Sequence, residues 1–175
     1  ATAKVKATNY LDNYSIYPTP PSGATAVEHT STIDYAGTID QNIDNQILYQ
    51  KLVISGSGVK SLVGPTNVSG GAADTEVNVK EATLDLGTHT LTRATAGGNF
   101  IVADGATVKI GGPTNTPVNF TTRTFYPAST TEYYGGNQAV QHNTYGHLTF
   151  SNTGLKTIPT PDMTVQGNLT SMGTT

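Results

Sequence analysis

The sequence predicts an all-β chain wound as a parallel β-helix, a β-solenoid, and three observations carry that expectation. The chain repeats itself, its composition favours strands, and short alternating segments recur between glycine turns. The repeat is the plainest of the three. Tyr49-Gln50-Lys51-Leu52-Val53-Ile54-Ser55-Gly56-Ser57-Gly58-Val59-Lys60-Ser61-Leu62 is answered 96 residues later by Tyr145-Gly146-His147-Leu148-Thr149-Phe150-Ser151-Asn152-Thr153-Gly154-Leu155-Lys156-Thr157-Ile158. Repetition on this scale implies stacked modules more readily than one closed core. Thr alone occurs 31 times in the 175 residues, and charged residues make up only 12%. With Val and Ile supplying the apolar content, this composition suits strands and tight turns. No window holds apolar residues at i, i+3, i+4 and i+7 over three turns, as an amphipathic helix would require.

Taken in order, residues 1–30 form an opening segment with a Tyr17-Pro18 loop. A first module covers 31–128, and a second covers 129–175 and reads as cut short. All three are expected to belong to one continuous, right-handed solenoid. Upstream of the main repeat, Ser31-Thr32-Ile33-Asp34-Tyr35-Ala36-Gly37 corresponds to Thr130-Thr131-Glu132-Tyr133-Tyr134-Gly135, and Gln46-Ile47 answers Gln138 or Gln141 near Val140. Between the copies, strands are expected at Glu76–Val79, Ala82–Leu86, His89–Thr92, Asn99–Val102 and Ala106–Ile110. Gly87, Gly97-Gly98, Gly105 and Gly111-Gly112 separate them. Strands this short, with glycine turns every 8–12 residues, fit a sandwich or a solenoid. The near-restoration of the same strand at each turn favours the solenoid, in which neighbouring coils bury one another's faces. An uncapped end would expose unpaired N–H and C=O groups. A β-sandwich is the competing architecture.

The segments Asn137-Gln138-Ala139-Val140, Tyr145-Gly146-His147-Leu148-Thr149-Phe150-Ser151, Gly154-Leu155-Lys156-Thr157-Ile158 and Val165-Gln166-Gly167-Asn168-Leu169-Thr170 resemble repeats of very large secreted surface proteins of Bacteroidetes. Those repeats carry a Tyr-x-x-Leu-x-Ile-Ser-Gly-x-Gly-x-Lys-x-Leu strand and a Val-x-Gly-Asn-Leu strand. The resemblance covers Tyr133 to Thr170 well and Tyr35 to Val68 with some erosion. It implies a parallel β-helix within a long, exported, adhesin-like chain, and it brings no catalytic residues. Met172 and the Pro159-Thr160-Pro161 turn depart from the pattern.

Charge excludes one class of partner. The net charge is −3, and the nine Lys and Arg residues are scattered from Lys4 to Lys156. No basic stripe exists to neutralise phosphates, so nucleic acid is not an expected partner. No apolar run approaches the ~20 residues of a membrane span. Cysteine is absent, which removes disulfides, thiolate metal sites and a cysteine nucleophile. Low charge, abundant Thr, Asn and Gly, and no Cys or Trp point to an extracellular location at a bacterial cell surface.

Site chemistry is sparse. His142 and His147 are five residues apart, which on a strand puts them on opposite faces and argues against a shared metal. Asp34, Asp40, Asp44, Asp74, Asp85 and Asp104 flank turns. Calcium is the one cofactor their carboxylates suit, although the nonapeptide of calcium-binding β-rolls is missing. Asp85 and Asp104 form a hydrolytic carboxylate pair only if one coil is near 19 residues. The glycines at Gly56-Ser57-Gly58 and Gly97-Gly98 lack the Lys-Ser/Thr and helix that a phosphate loop needs. Alternate threonines at Thr88, Thr90 and Thr92 are too interrupted to order ice.

The tyrosines are more suggestive. Tyr133-Tyr134 places one ring inward and one outward, and Tyr134 and Tyr126 are candidate platforms for stacking on a sugar. The recurrence of Tyr35 as Tyr133 and Tyr49 as Tyr145 points instead to a stacked tyrosine ladder along a corner. The expected function is a non-enzymatic, structural or adhesive segment, elongated as a rod or filament. Its partners would be neighbouring repeats, copies of the same chain, or cell-surface and matrix glycans. Two alternatives remain: a pilin-like sandwich subunit polymerising by donating Ala3-Lys4-Val5-Lys6-Ala7-Thr8, and a β-helix that binds or cleaves polysaccharide.

Overall fold

The computed structural model describes residues 2–5, 32–68, 76–160 and 162–172. Within them the chain is all-β and winds as a solenoid of about six turns. Each coil visits three faces. The first face begins with β1 (Thr2–Val5) and β2 (Thr32–Tyr35), and the second with β3 (Gln41–Ile43). The next coil lays down β4 (Lys51–Ile54), β5 (Val59–Leu62) and β6 (Thr66–Val68), the last on a third face. β7 (Glu76–Val79) and β8 (Thr83–Asp85) follow. β9 (Leu91–Val102) starts on the third face against β6 and ends on the first against β7. After β10 (Thr107–Ile110), β11 (Val118–Phe125) makes the same passage from third to first face. β12 (Thr130–Tyr133), β13 (Gln138–Ala139), β14 (Thr144–Tyr145), β15 (His147–Phe150), β16 (Lys156–Thr157), β17 (Thr164–Val165) and β18 (Leu169–Ser171) complete the described coils.

Every strand pairing among the described residues is parallel. A β-sandwich, built from antiparallel sheets, is thereby excluded. The alternation read in the sequence is visible as burial: Lys51–Ile54, Val59–Leu62, Glu76–Val79 and Thr107–Ile110 each alternate half-buried and buried. Register stacks the inward residues into columns. Ile33, Leu52, Val77 and Phe100 form one on the first face, and Leu84, Val108, Thr131 and Leu148 form one on the second. Each fully buried Leu, Ile or Phe stabilises the fold by about 1.5–3 kcal/mol, so these columns supply most of the driving force.

Apolar columns alone do not explain the repeated residues. Those residues close the corners. Tyr35 and Tyr49 are fully buried, and their hydroxyls meet at 2.8 Å across the interior. Asp44 N–H donates to the Tyr35 hydroxyl (3.0 Å), and the Tyr49 hydroxyl donates to Asp44 O (2.8 Å). The second copy rebuilds the same clasp: Tyr133 and Tyr145 meet at 3.1 Å, Gln141 N–H donates to Tyr133 (3.2 Å), and Tyr145 donates to Gln141 O (2.7 Å). The expected tyrosine ladder along a corner is therefore corrected. The rings lie in pairs inside single coils, and Tyr35 and Tyr49 are tilted 56° to one another.

The lysines of the repeat serve the same end. The Lys60 side chain is wholly buried, and its three ammonium donors reach Gly37 O (3.0 Å), Ile39 O (2.7 Å) and Ser57 O (2.5 Å). Lys156 donates to Gly135 O and Gly136 O at the equivalent turn. Gln41 stands in register with Lys60, and Gln138 with Lys156. Gln41, not Gln46, is thus the partner of Gln138 in the repeat, because the inward-facing glutamine next to the corner is the one that can reach turn backbone. Gln41 Oε1 accepts from Gly37 N–H (2.9 Å), and Gln138 Nε2 donates to Ile110 O and Gly112 O (both 2.9 Å). The turn itself requires a left-handed residue. Gly56 has φ +74°, and a Cβ there would sit 2.4 Å from Gly37 O; its counterpart Asn152 has φ +67°. Asparagine is among the few non-glycine residues that adopt this region readily.

The two copies do not lie on the same side. β2 and β4 belong to the first face, whereas their counterparts β12 and β15 belong to the second. The 96-residue repeat therefore amounts to four coils plus one face. Both clasps occupy short coils, where stacked partners are 19 residues apart (Thr32 to Lys51) or 17 (Thr130 to His147). The coils between them advance 23 to 25 residues (Lys51 to Glu76, Glu76 to Asn99, Asn99 to Thr122).

Replacing Tyr145 by Phe keeps the ring and removes the hydroxyl, leaving Gln141 O without its donor. The expected loss is about 1–3 kcal/mol in urea unfolding; an unchanged midpoint would show the clasp to be dispensable. Alkaline pH provides a second measurement. Burial, first of all, pushes Tyr35 and Tyr134 up to about 12 from 10.0 and raises Tyr145 as well. The unfolded tyrosines lose protons near pH 10 while the folded ones retain them, so the share from Tyr35 and Tyr134 is complete below pH 10 and is lost as pH rises through about 12. Burial lowers the Lys60 ammonium from 10.5, which acts in the opposite sense below that pH. Of these groups, only the tyrosines act between 10.5 and 12, and thermal unfolding should show stability falling across that window.

Candidate functional site

The outward positions of the second face bring Asp85, Lys109 and Glu132 into one register line. Lys109 Nζ pairs with Glu132 Oε2 at 3.2 Å and lies 5.0 Å from the centre of the Tyr134 ring. The Tyr134 hydroxyl reaches back over two coils and donates to Asp85 Oδ1 at 2.8 Å. Glycine makes this path available: a Cβ on Gly111 would stand 2.7 Å from the Tyr134 hydroxyl. Burial, and after it the bond to Asp85, push the Tyr134 phenol up to about 12. Tyr134 is outward, as expected, but its hydroxyl is bonded and one ring face carries an ammonium. It works as a latch across coils.

Tyr126 is placed differently. It follows β11 at the corner between the first and second faces, 46% exposed, whereas Tyr134 follows β12 at the next corner. The two candidate rings are not brought together. Tyr126 borders a shallow cleft of about 280 Å³, together with Arg123, Thr124, Phe125, Pro127, Thr144 and Gln166.

This cleft exists because the first face narrows. The short coil from Thr130 to His147 leaves room for only two strand residues, Thr144 and Tyr145, beyond the eight of β11. Tyr145 continues the Phe125 column, with ring centres 5.1 Å apart. Arg123 stands in register with Phe100 and so falls in the column of Ile33, Leu52 and Val77. All four of those residues are buried; Arg123 is half-buried, because the chain before Thr144 has left the strand. A guanidinium at a core position must keep water or a partner within reach, since isolating a charge from both is costly. Its hydrogen bond is a long one, Nη1 to Pro117 O at 3.4 Å, and no carboxylate of the described residues pairs with it.

Sequence reasoning missed Arg123. The signal was present: in Val118-Asn119-Phe120-Thr121-Thr122-Arg123-Thr124-Phe125, alternation back from Phe125 puts Arg123 inward. The remaining candidate carboxylates among the described residues are held by hydrogen bonds, some to their own turn and some to the next coil. Asp85 Oδ1 accepts Gly87 N–H (2.8 Å), Asp44 Oδ1 accepts Gln46 N–H (2.8 Å), and Asp104 Oδ1 accepts Ala128 N–H (2.8 Å). Asp85 and Asp104 do not meet, because the coil there is 24 residues rather than 19 and the register partner of Asp85 is Lys109. His147 Nδ1 accepts Asn168 N–H (2.9 Å), and His142 is exposed. Asp74 and the Tyr17-Pro18 loop lie outside the described residues. Among the described residues, no three His, Cys, Asp or Glu side chains converge where a cation could sit. The same residues contain no helix long and apolar enough to cross a membrane.

Against protein-family models, curated proteins and solved structures, the chain finds no match.

The turn from Tyr126 to Ser129 packs closely on Gly146. A Cβ there would stand 2.2 Å from Tyr126 O and 2.6 Å from Ser129 O, both backbone atoms that cannot swing aside. Gly146→Ala should therefore destabilise by about 1–3 kcal/mol in denaturant unfolding. A variant with wild-type stability would mean that the turn at Tyr126 moves freely.

Proposed function

We propose that this chain is a structural and adhesive segment of an extracellular bacterial surface protein, an element of a longer rod. The observation that carries the reading is the clasp rebuilt 96 residues on, displaced by one face. Two copies of one corner, built from the same Tyr, Gln and Lys roles, extend a solenoid coil by coil. Stacked coils give length through nearest-neighbour contacts alone. The chain does so without a cysteine.

Two further features support the reading. The last described coil exposes Leu155, Ile158, Leu169 and Met172, an apolar surface on which a further coil or another copy could stack. The cleft beside Tyr126 contains no carboxylate, imidazole or thiol among its lining residues, so its chemistry suits binding rather than acid–base catalysis.

Immunogold labelling with antibody against this chain tests the assignment. Label on intact, unpermeabilised cells, carried on thin projections, is the expected result. Label appearing only after lysis would overturn it.

A further inference from the structure

We infer that the cleft beside Tyr126 is a subsite for an acidic saccharide, with Arg123 holding the sugar carboxylate and Tyr126 the platform beneath the ring. This deepens the adhesive reading and rests on it, but the site has its own observations. Arg123 occupies a column whose other members are Ile33, Leu52, Val77 and Phe100, so packing gives no reason for a cation there. The side chain is half-buried at the cleft, its fork among the described residues is held by the long bond to Pro117 O, and no described carboxylate neutralises it. A guanidinium with free donors in a partly enclosed cleft matches a carboxylate, which it binds through two parallel hydrogen bonds.

The other lining residues identify what carries that carboxylate. Tyr126 presents an exposed aromatic ring at the rim with Pro127 beside it, a flat apolar surface of the kind a pyranose covers. Thr124, Thr144 and Gln166 add hydroxyl and amide groups able to donate to and accept from sugar hydroxyls. Among the described residues, none of the seven that line the cleft is acidic, so these present no charge that repels an anion. A volume of about 280 Å³ accommodates one or two sugar rings, leaving the rest of a polymer along the surface.

The test pairs two probes with the same sugar rings, one charged and one neutral at its carboxyl groups: a galacturonic acid tetrasaccharide and its methyl ester. Titration of the 175-residue chain, followed by NMR or calorimetry, should show the acid binding at least about tenfold tighter than the ester. Arg123→Leu restores the apolar column, so it should melt at or above the wild-type temperature while losing that preference. Arg123→Lys keeps the charge without the fork and should recover only part of it. Tyr126→Ala, at an exposed position, should weaken both probes together. Equal binding of acid and ester, no binding of either, or full binding by Arg123→Leu would each overturn the subsite. Cell-surface labelling is a separate readout: surface label without saccharide binding removes the subsite alone, and absence of surface label removes the adhesive setting.

Discussion

The corners of this solenoid must satisfy their own backbone groups away from water, and the rest of the structure depends on how they do it. Strands hand their N–H and C=O groups to the coils above and below, but a turn between faces leaves some of its own without partners. An unpaired buried group costs about 1–3 kcal/mol, comparable to burying a leucine. The chain meets this with inward polar side chains: Lys60 for three carbonyls, Gln138 for two, Gln41 for the Gly37 N–H, and the tyrosine hydroxyls for Asp44 and Gln141. The net gain from each such bond is small. Their larger effect is on uniqueness, since any slip of register would strand several groups at once.

That requirement explains why lysine, an expensive residue to bury, recurs in a chain otherwise poor in charge. Lys60 lies in the inward column that continues as Leu84 and Val108, and its ammonium is tolerated because three carbonyl oxygens replace its water. Arg123 shows the opposite solution. It too stands in an apolar column, but the shortened coil above it opens a cleft and the guanidinium reaches solvent. Lys60 is absorbed by its corner, whereas the half-buried Arg123 lines the cleft.

Much of the fold was legible because its signals are local. The alternation of Glu76–Val79 and Thr107–Ile110, the glycines at 56, 58 and 105, and the spacing of Tyr49 and Tyr145 all follow from backbone geometry within a few residues. The misreadings were longer in range. The sequence pairs Gln46 with Gln138 where Gln41 belongs and suggests a tyrosine ladder along a corner, because a repeat shows which residues recur and not which atoms they meet. The site was half legible. Tyr126 and Tyr134 are equally outward in an alternating pattern, and only the coil two turns back, which brings Asp85 to Tyr134, separates a latch from an exposed ring.

The sequence by itself determined the class of fold, the presence of a repeated unit and most of the inward and outward assignments, since strand alternation and glycine turns are properties of neighbours along the chain. Only the tertiary structure decided the coil length and the passage of the second copy from the first face to the second. Those depend on how many residues each coil consumes before the next strand can pair, from 17 (Thr130 to His147) to 30 (Thr2 to Thr32). That number is set by which side chains close the corner, and it determines both where the core is continuous and where, at Arg123, it opens.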